Sequence, residues 1–286
     1  MKIAVLSDIH SNYHAFKACI DYAKALKISH FLFLGDYISD CAYPQKTMEH
    51  LYYLKKQDQC WFIKGNREEY LLEHRTNAED GWSMPSSATG SLLYTYQGLQ
   101  SGDLDFFESM KISDCMNLEG YPPFWYCHGS MDNTRGDLRF TSNNVDKLLE
   151  EMPVSMLVCG HTHTQGIYET NGKRIVNVGS VGIPWFYQGD TQFAILNGNH
   201  DSWEVQLIQL EYDKMQAVKE LYESGLVYQA NIWTKLVEET LLTGRDRSRE
   251  CLDIALAICK EREGIASWTT LAEGYWEEAA KTLGII

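Results

Sequence analysis

Three textures along the chain predict an α/β protein with a helical C-terminal extension. Short apolar runs rich in β-branched and aromatic residues alternate with helix-period segments through the first half of the 286 residues. Strands with tight connections crowd the stretch from about 114 to 212, and beyond Tyr212 the chain reads as helix.

In order, "KIAVLSD" reads as a strand and 12 to 27 as a helix with Phe16, Ile20, Tyr22 and Ala23 on one side. "HFLFLGD" is a second strand, 44 to 56 a helix opened by Pro44, and "CWFIKGN" a third strand. This βαβαβ rhythm implies a parallel sheet covered by helices. Residues 76 to 90 are loop-like, and two short helices are expected before Lys111. The strands "FWYCHGS", "SMLVCGHT", "GIYET", "RIVNVGS", "QFAILNG" and "WEVQLIQLEY" follow, interrupted by one helix at about 144 to 151. The turn cluster "NGNHDS" predicts that the last two form a hairpin. The helical remainder has breaks near Ser224 to Gly225, Gly244 and Gly264, which places a boundary near 213 and divides the chain into 1–212 and 213–286.

A hydrophobic content of 44% with 22% charged residues is that of an ordinary globular chain. The formal charge of −14 argues against a nucleic-acid duplex or an anionic membrane as partner, since both attract basic surfaces. A small anionic substrate stays open, because bound cations reverse the local field. The eight cysteines show no C-x-x-C pair and read as reduced, mostly buried thiols. The first apolar run is too short for a signal peptide, and none approaches the ~18 residues of a membrane span. A cytoplasmic location is the expectation.

Chemistry-bearing side chains gather where strands end. The first strand ends in Asp8-Ile9-His10, the second in Gly35-Asp36 and the third in Gly65-Asn66-Arg67-Glu68; later ones end in His128-Gly129 and in Gly160-His161-Thr162-His163. Ligand crevices of open α/β sheets form at such carboxyl ends, so these side chains can converge. Alone, Asp8 or Asn66 reads as a helix cap and His128 as a core histidine. Together, two Asp, one Asn and four His suit first-row divalent ions and exceed what one tetrahedral ion needs, so two ions sharing one carboxylate fit the count. His14, His30, His50, His74 and His200 lie outside these blocks and are assigned nothing; Tyr121 and Phe124 read as strand and core residues within reach of a base or leaving group.

The blocks "DIH", "GD", "GN", "HG" and "GHTH", in this order and on this strand rhythm, resemble the calcineurin-like metallophosphoesterases over roughly residues 1 to 212, including "NVGSVGIP". Within that family the chain is most similar to small bacterial phosphodiesterases and asymmetric diadenosine tetraphosphate hydrolases. The resemblance implies a β-sandwich flanked by helices in four αββα layers, with residues 1–212 as the catalytic domain and 213–286 as an extension. It implies Asp8, His10 and His163 on one ion, Asn66, His128 and His161 on the other, and Asp36 bridging. The cofactors would be two divalent metal ions, manganese before iron, nickel or zinc. The implied reaction is hydrolysis of phosphodiester or phosphoanhydride bonds of small molecules, nucleotides such as dinucleoside polyphosphates among them, by a hydroxide held between the ions. The alternatives are a non-catalytic scaffold on the same fold and a Ser/Thr protein phosphatase; "GDYISD" lacks the arginine that the latter subgroup carries there.

One position departs from the family pattern. Arg67 stands where many members have a histidine after the asparagine. A guanidinium is a poor general acid but a good fork for phosphate oxygens, so Arg67 reads as a catalytic and substrate-binding residue; the competing reading pairs it with Glu68 or Glu69, away from substrate. Trp233, Trp268 and Trp276 stand at spacings that could face a neighbour, so the extension is expected to pack on the catalytic domain and to narrow the site or build a homodimer.

Overall fold

The computed structural model describes residues 1–77, 81–141 and 143–286. Its elements, in chain order, are β1 (Lys2–Leu6), α1 (Tyr13–Ala25), β2 (His30–Phe33), α2 (Pro44–Gln57), β3 (Gln59–Phe62), α3 (Asn66–Thr76), α4 (Gly90–Gln97), α5 (Ser101–Glu108), β4 (Ser113–Met116), β5 (Phe124–Cys127), α6 (Asn143–Glu151), β6 (Met156–Cys159), β7 (Gly166–Thr170), β8 (Lys173–Asn177), β9 (Thr191–Gly198) and β10 (Trp203–Leu210). Helices α7 (Lys214–Glu223), α8 (Leu226–Gln229), α9 (Asn231–Thr243), α10 (Ser248–Glu263) and α11 (Glu273–Thr282) complete the chain.

The strands form two five-stranded sheets, ordered β10-β9-β1-β2-β3 and β4-β5-β6-β8-β7. β1, β2 and β3 pair in parallel, as the βαβαβ rhythm requires, and β9 closes antiparallel on β1 and forms the expected hairpin with β10. In the second sheet β5, β6 and β8 are parallel. β4 is an edge strand too polar and too short for the sequence pattern to reveal.

Alternation along β1 builds the layers. Ile3 and Val5 point between the sheets, where they meet Leu32, Phe124, Val158, Val176 and Leu196. Ala4 and Leu6 point the other way, onto Phe16 and Cys19 of α1 and Met48 and Leu51 of α2. On the far side Leu157, Cys159 and Ile175 pack under Val145 and Leu149 of α6. The layers are therefore αββα. α1 buries Ala15, Phe16, Cys19, Ile20 and Ala23; Tyr22, read from sequence as part of that stripe, is 37% exposed because it lies about a sixth of a turn beyond the face that Cys19 and Ala23 define.

The helices after β10 pack on the rim of the sandwich. Ala217, Val218 and Leu221 of α7 and Val237 and Leu241 of α9 bury against Cys41 and Ile183. α9, α10 and α11 share a second cluster of Ile232, Leu236, Cys251, Ala255, Trp276 and Ala279. Close backbone contact fixes the joint: Phe186 N–H donates to Gly244 O at 2.7 Å, and a Cβ on Gly244 would stand 2.1 Å from Phe186 O. All eight cysteines are free thiols. Among the described residues no helix is long and apolar enough to cross a membrane.

Candidate metal centre

Backbone bonds between the strand-end loops build the cradle. Asp8 N–H donates to Gly35 O, His10 N–H to Asp36 O and Ser11 N–H to Tyr37 O, so the first two loops zip together. Gly160 N–H donates to His128 O, and Gly182 N–H to Asp8 O at 2.8 Å. The loops approach so closely that glycine is required: a Cβ on Gly35 would lie 2.3 Å from Gly65 N, and one on Gly160 would lie 2.0 Å from Ser7 Oγ. The "NVGSVGIP" segment supports the same loops, with Asn177 Nδ2–H donating to Gly160 O and Ser180 Oγ–H to Asp8 O.

The structure brings together all seven residues that the sequence singled out as ligands. His163 Nε2 and His10 Nε2 stand 3.2 and 3.7 Å from Asp8 Oδ1, and 3.2 Å from each other. His128 Nε2 is 3.1 Å from Asn66 Oδ1 and 3.5 Å from Asp36 Oδ2. Asp36 Oδ2 lies between the two groups, 3.8 Å from His10 Nε2 on the other side. Asp8 Oδ1 is also within 3.8 Å of His128 Nε2, so two carboxylates face both halves of the cradle. The His161 ring packs 5.1 Å from that of His128. His14, His30, His50, His74 and His200 stand outside this group; His14, for example, pairs with Glu220 and His200 with Gly120 O. Phe124 is fully buried in the sandwich, and Tyr121 stacks on Trp203, so neither reaches the cradle.

The donor set fits divalent cations. His128 Nδ1–H donates to Leu34 O and His163 Nδ1–H to Ile183 O, both at 2.8 Å, and His10 Nδ1 lies 2.9 Å from Asp40 Oδ2. Carbonyls and a carboxylate can only accept, so each of these rings, when neutral, presents its Nε2 lone pair to the centre. Asp8 Oδ1 is buried without a hydrogen-bond partner. Acceptors facing acceptors at these distances, away from water, require positive charge between them. Burial works against the charged form at every group here. Even so, the imidazoles hold the Asp8 carboxyl well below the usual range and Asp36 at about 2, and the carboxylates raise His10 to about 9 and His128 to about 10. A divalent ion held by these residues would answer that demand in place of protons. Burial and the neighbouring His128 leave His161 neutral, at about 4.

Two neighbours govern this cradle in roles that were not recognised in the sequence. Glu68 is completely buried and accepts from Asp36 N, Gly65 N and Tyr37 N at 2.8, 2.8 and 2.9 Å. It caps the third loop and ties it to the second, so it is not the partner of Arg67. That partner is Asp40, whose Oδ2 lies 3.1 Å from Arg67 Nη2 and also faces His10. Asp40 Oδ1 accepts from Trp233 Nε1–H at 2.7 Å, which joins the C-terminal helices through Asp40 to the ligand candidate His10. "GDYISD" ends in Asp40, but an aspartate four residues beyond a motif has no spacing signal of its own. Only the fold brings α9 to it.

A cavity of about 180 Å³ opens over the cradle. His10, Asp36, Asn66, Arg67, His161 and His163 form its floor, and Trp185, Trp233, Val237 and Thr240 wall it.

Comparison with known proteins agrees with this geometry. The model of the calcineurin-like phosphoesterase superfamily domain matches residues 1–201, and the chain belongs to that superfamily. An uncharacterized protein of Methanocaldococcus jannaschii is 24% identical over 240 residues, which cover 78% of this chain and 93% of that one. A hypothetical protein from Pyrococcus horikoshii has the same fold at 20% identity and a TM-score of 0.71, covering 86% of this chain and 99% of its own. A metallophosphoesterase from Sphaerobacter thermophilus follows at 19% identity and 0.66, covering 86% and 100%.

Proposed function

We propose that the protein is a dinuclear metal-dependent phosphoesterase that hydrolyses phosphodiester or phosphoanhydride bonds of small molecules, nucleotides foremost. The observation that carries this reading is the buried convergence of Asp8 Oδ1 and Asp36 Oδ2 with the inward Nε2 atoms of His10, His128 and His163, three rings whose outer nitrogens are already held. Asp8, His10 and His163 would hold one ion, Asn66, His128 and His161 the other, and Asp36 both. Bound there, two divalent ions, manganese in the first instance, would neutralise phosphoryl charge and supply an activated water.

The chain's own residues supply orientation and charge. Arg67 reaches into the cavity, where its Nε is buried without a hydrogen bond, 4.0 Å from Asp36 Oδ2, and its Nη2 is turned to Asp40. It is placed to present a fork to phosphoryl oxygens, and Asp40 keeps that fork from swinging to solvent. Among the residues that face the cavity, Arg67 cannot serve as a general acid, which favours leaving groups that depart without a proton, such as phosphates and activated phenols. The walls contributed by Trp233, Val237 and Thr240 favour a small substrate over a folded phosphoprotein.

The test is metal content together with turnover of bis-p-nitrophenyl phosphate. The expected result is close to two divalent ions per chain, manganese-dependent hydrolysis, and loss of activity on chelation. Two tightly held ions with no turnover of any phosphoester in a nucleotide panel would favour the scaffold instead.

A further inference from the structure

A second cavity, of about 230 Å³, lies behind the metal centre and shares Asp40, Arg67 and Trp233 with the first. Its other walls come from two directions: Tyr70 of α3 on one side, and Trp268 and Trp276 of the C-terminal extension on the other. The rings pack in two tilted or edge-on pairs. Tyr70 and Trp268 have centroids 6.3 Å apart at 51°, and Trp233 and Trp276 lie 6.3 Å apart at 88°. Trp276 is 1% exposed, yet its Nε1–H is buried without an acceptor. A buried donor left unmade costs free energy, and this one belongs to a residue that borders the cavity. Arg67, which lines both cavities, likewise has its Nε buried without a hydrogen-bond acceptor, with Asp36 Oδ2 4.0 Å away.

We infer that this second cavity is a subsite for a planar aromatic substituent of the phosphoester, one that carries hydrogen-bond acceptors, as a nucleobase does. The inference rests on the reading above that the cradle holds the phosphoryl group. Aromatic walls offer faces to a flat ring, and the Trp276 N–H meets an acceptor on its edge. Alone, each cavity is smaller than the roughly 300–1,000 Å³ of a pocket for a drug-sized ligand; joined past Arg67 they reach the lower part of that range, which suits a phosphoryl group in one and a single ring system in the other. Arg67 then stands at the junction, where its guanidinium can meet phosphoryl oxygens on the metal side. The extension is thus part of the substrate site and decides which substituent the enzyme accepts.

The experiment is calorimetric titration of the full-length, manganese-loaded protein with ribonucleoside monophosphates, ribose phosphate, phenyl phosphate and adenosine. At least one nucleoside monophosphate should bind about tenfold tighter than ribose phosphate, the margin that one stacked base supplies. Trp268→Ala should narrow that gap at least threefold. Trp276→Phe, which keeps the ring and removes only the N–H, should narrow it for nucleotides but not for phenyl phosphate. Phenyl phosphate as tight as the best nucleotide would support the subsite with a simple aryl ester as its occupant. Equal affinity for ribose phosphate and every ring-bearing ligand, or a gap indifferent to both substitutions, would overturn the subsite. Adenosine reads the ring cavity without the metal centre: binding of adenosine that Trp268→Ala weakens, with no phosphoester turned over, would leave the subsite standing and remove the catalytic reading.

Discussion

Around the metal cradle, Asp8, His10, Asp36, His161 and His163 all take left-handed backbone angles, with φ from 48° to 65°. In the C-terminal helices the left-handed positions are Gly225, Gly244, Gly264 and Gly284. Left-handed backbone costs a side-chain-bearing residue free energy that glycine does not pay. The extension therefore turns its corners where no side chain is needed, and any helical bundle would do the same. The cradle cannot, because at these corners the side chains are the prospective ligands. Its strained angles are imposed from outside, by the hydrogen bonds from Asp8, His10 and Ser11 to the second loop and by the close approach of Gly35, Gly65 and Gly160. One region is over-determined by contacts around each residue; the other is held by helix-end glycines and a shared apolar cluster.

The largest effect should come from the centre of the over-determined region. Asp36 Oδ2 faces both halves of the cradle and Oδ1 accepts from Arg67 N–H at 2.8 Å. Asp36→Asn replaces a carboxylate oxygen with an amide donor facing two imidazole lone pairs. Turnover should fall by more than the roughly 10- to 100-fold typical of outer-shell changes, and bound metal should fall with it. Near wild-type metal content would break the assignment of Asp36 to both ions.

Asp40→Asn should come next. Asp40 is not a ligand candidate, but it accepts from His10 and Trp233 and pairs with Arg67. Replacing the charge should weaken metal affinity roughly 10- to 100-fold, as loss of a carboxylate behind a ligating histidine does. A variant that binds metal normally but loses only substrate affinity would show that Asp40 works through Arg67 alone. Trp233→Phe is the milder probe of the same joint, since it removes one donor to Asp40 and keeps the ring. It should cost roughly two- to tenfold in kcat/KM with metal content unchanged. No loss would mean that the extension closes the cavity without tuning what lies beneath it.

The same contrast explains what could be read in the sequence. The cradle was legible because its chemistry is confined to strand ends, where Asp8, Asp36, Asn66, His128, His161 and His163 each follow an apolar run. The resemblance supplied the division of ligands between two ions, which spacing alone does not. Asp40 and Glu68 escaped because their partners are set by tertiary contact: three backbone N–H groups from two loops for Glu68, and an indole 193 residues away for Asp40. The extension was legible as helix, and its breaks at Gly225, Gly244 and Gly264 are where they were expected. Its direction was not. Trp276 packs in the cluster of its own helices and borders the second cavity, and Trp233 borders both cavities, because a helical pattern tells which face is apolar and not what covers it.

The smallest expected effect tests the seam between the two regions. Glu220 of α7 accepts from Lys46 Nζ of α2 at 2.8 Å and faces His14 Nε2 of α1 at 3.2 Å. Burial raises its carboxyl, but these two partners outweigh burial and hold it below its ordinary 4.5. A group whose folded value is depressed contributes stability that is fully present above the ordinary value and is lost as pH falls through the folded one. The contribution of Glu220 to docking of the extension should therefore be constant at neutral pH and fade below about pH 4.5. Lys46 is 44% exposed, so solvent screens the pair and its worth stays at or below about 1 kcal/mol. Many carboxylates titrate in the same window, so the informative quantity is the difference in Tm between wild type and Glu220→Gln. Wild type should be slightly more stable near pH 7, the gap should close as pH drops below 4.5, and added salt should shrink it at neutral pH. A gap that persists at low pH would mean that the ion pairs of Glu220 are not what the substitution reads, and that its charge does not hold the seam.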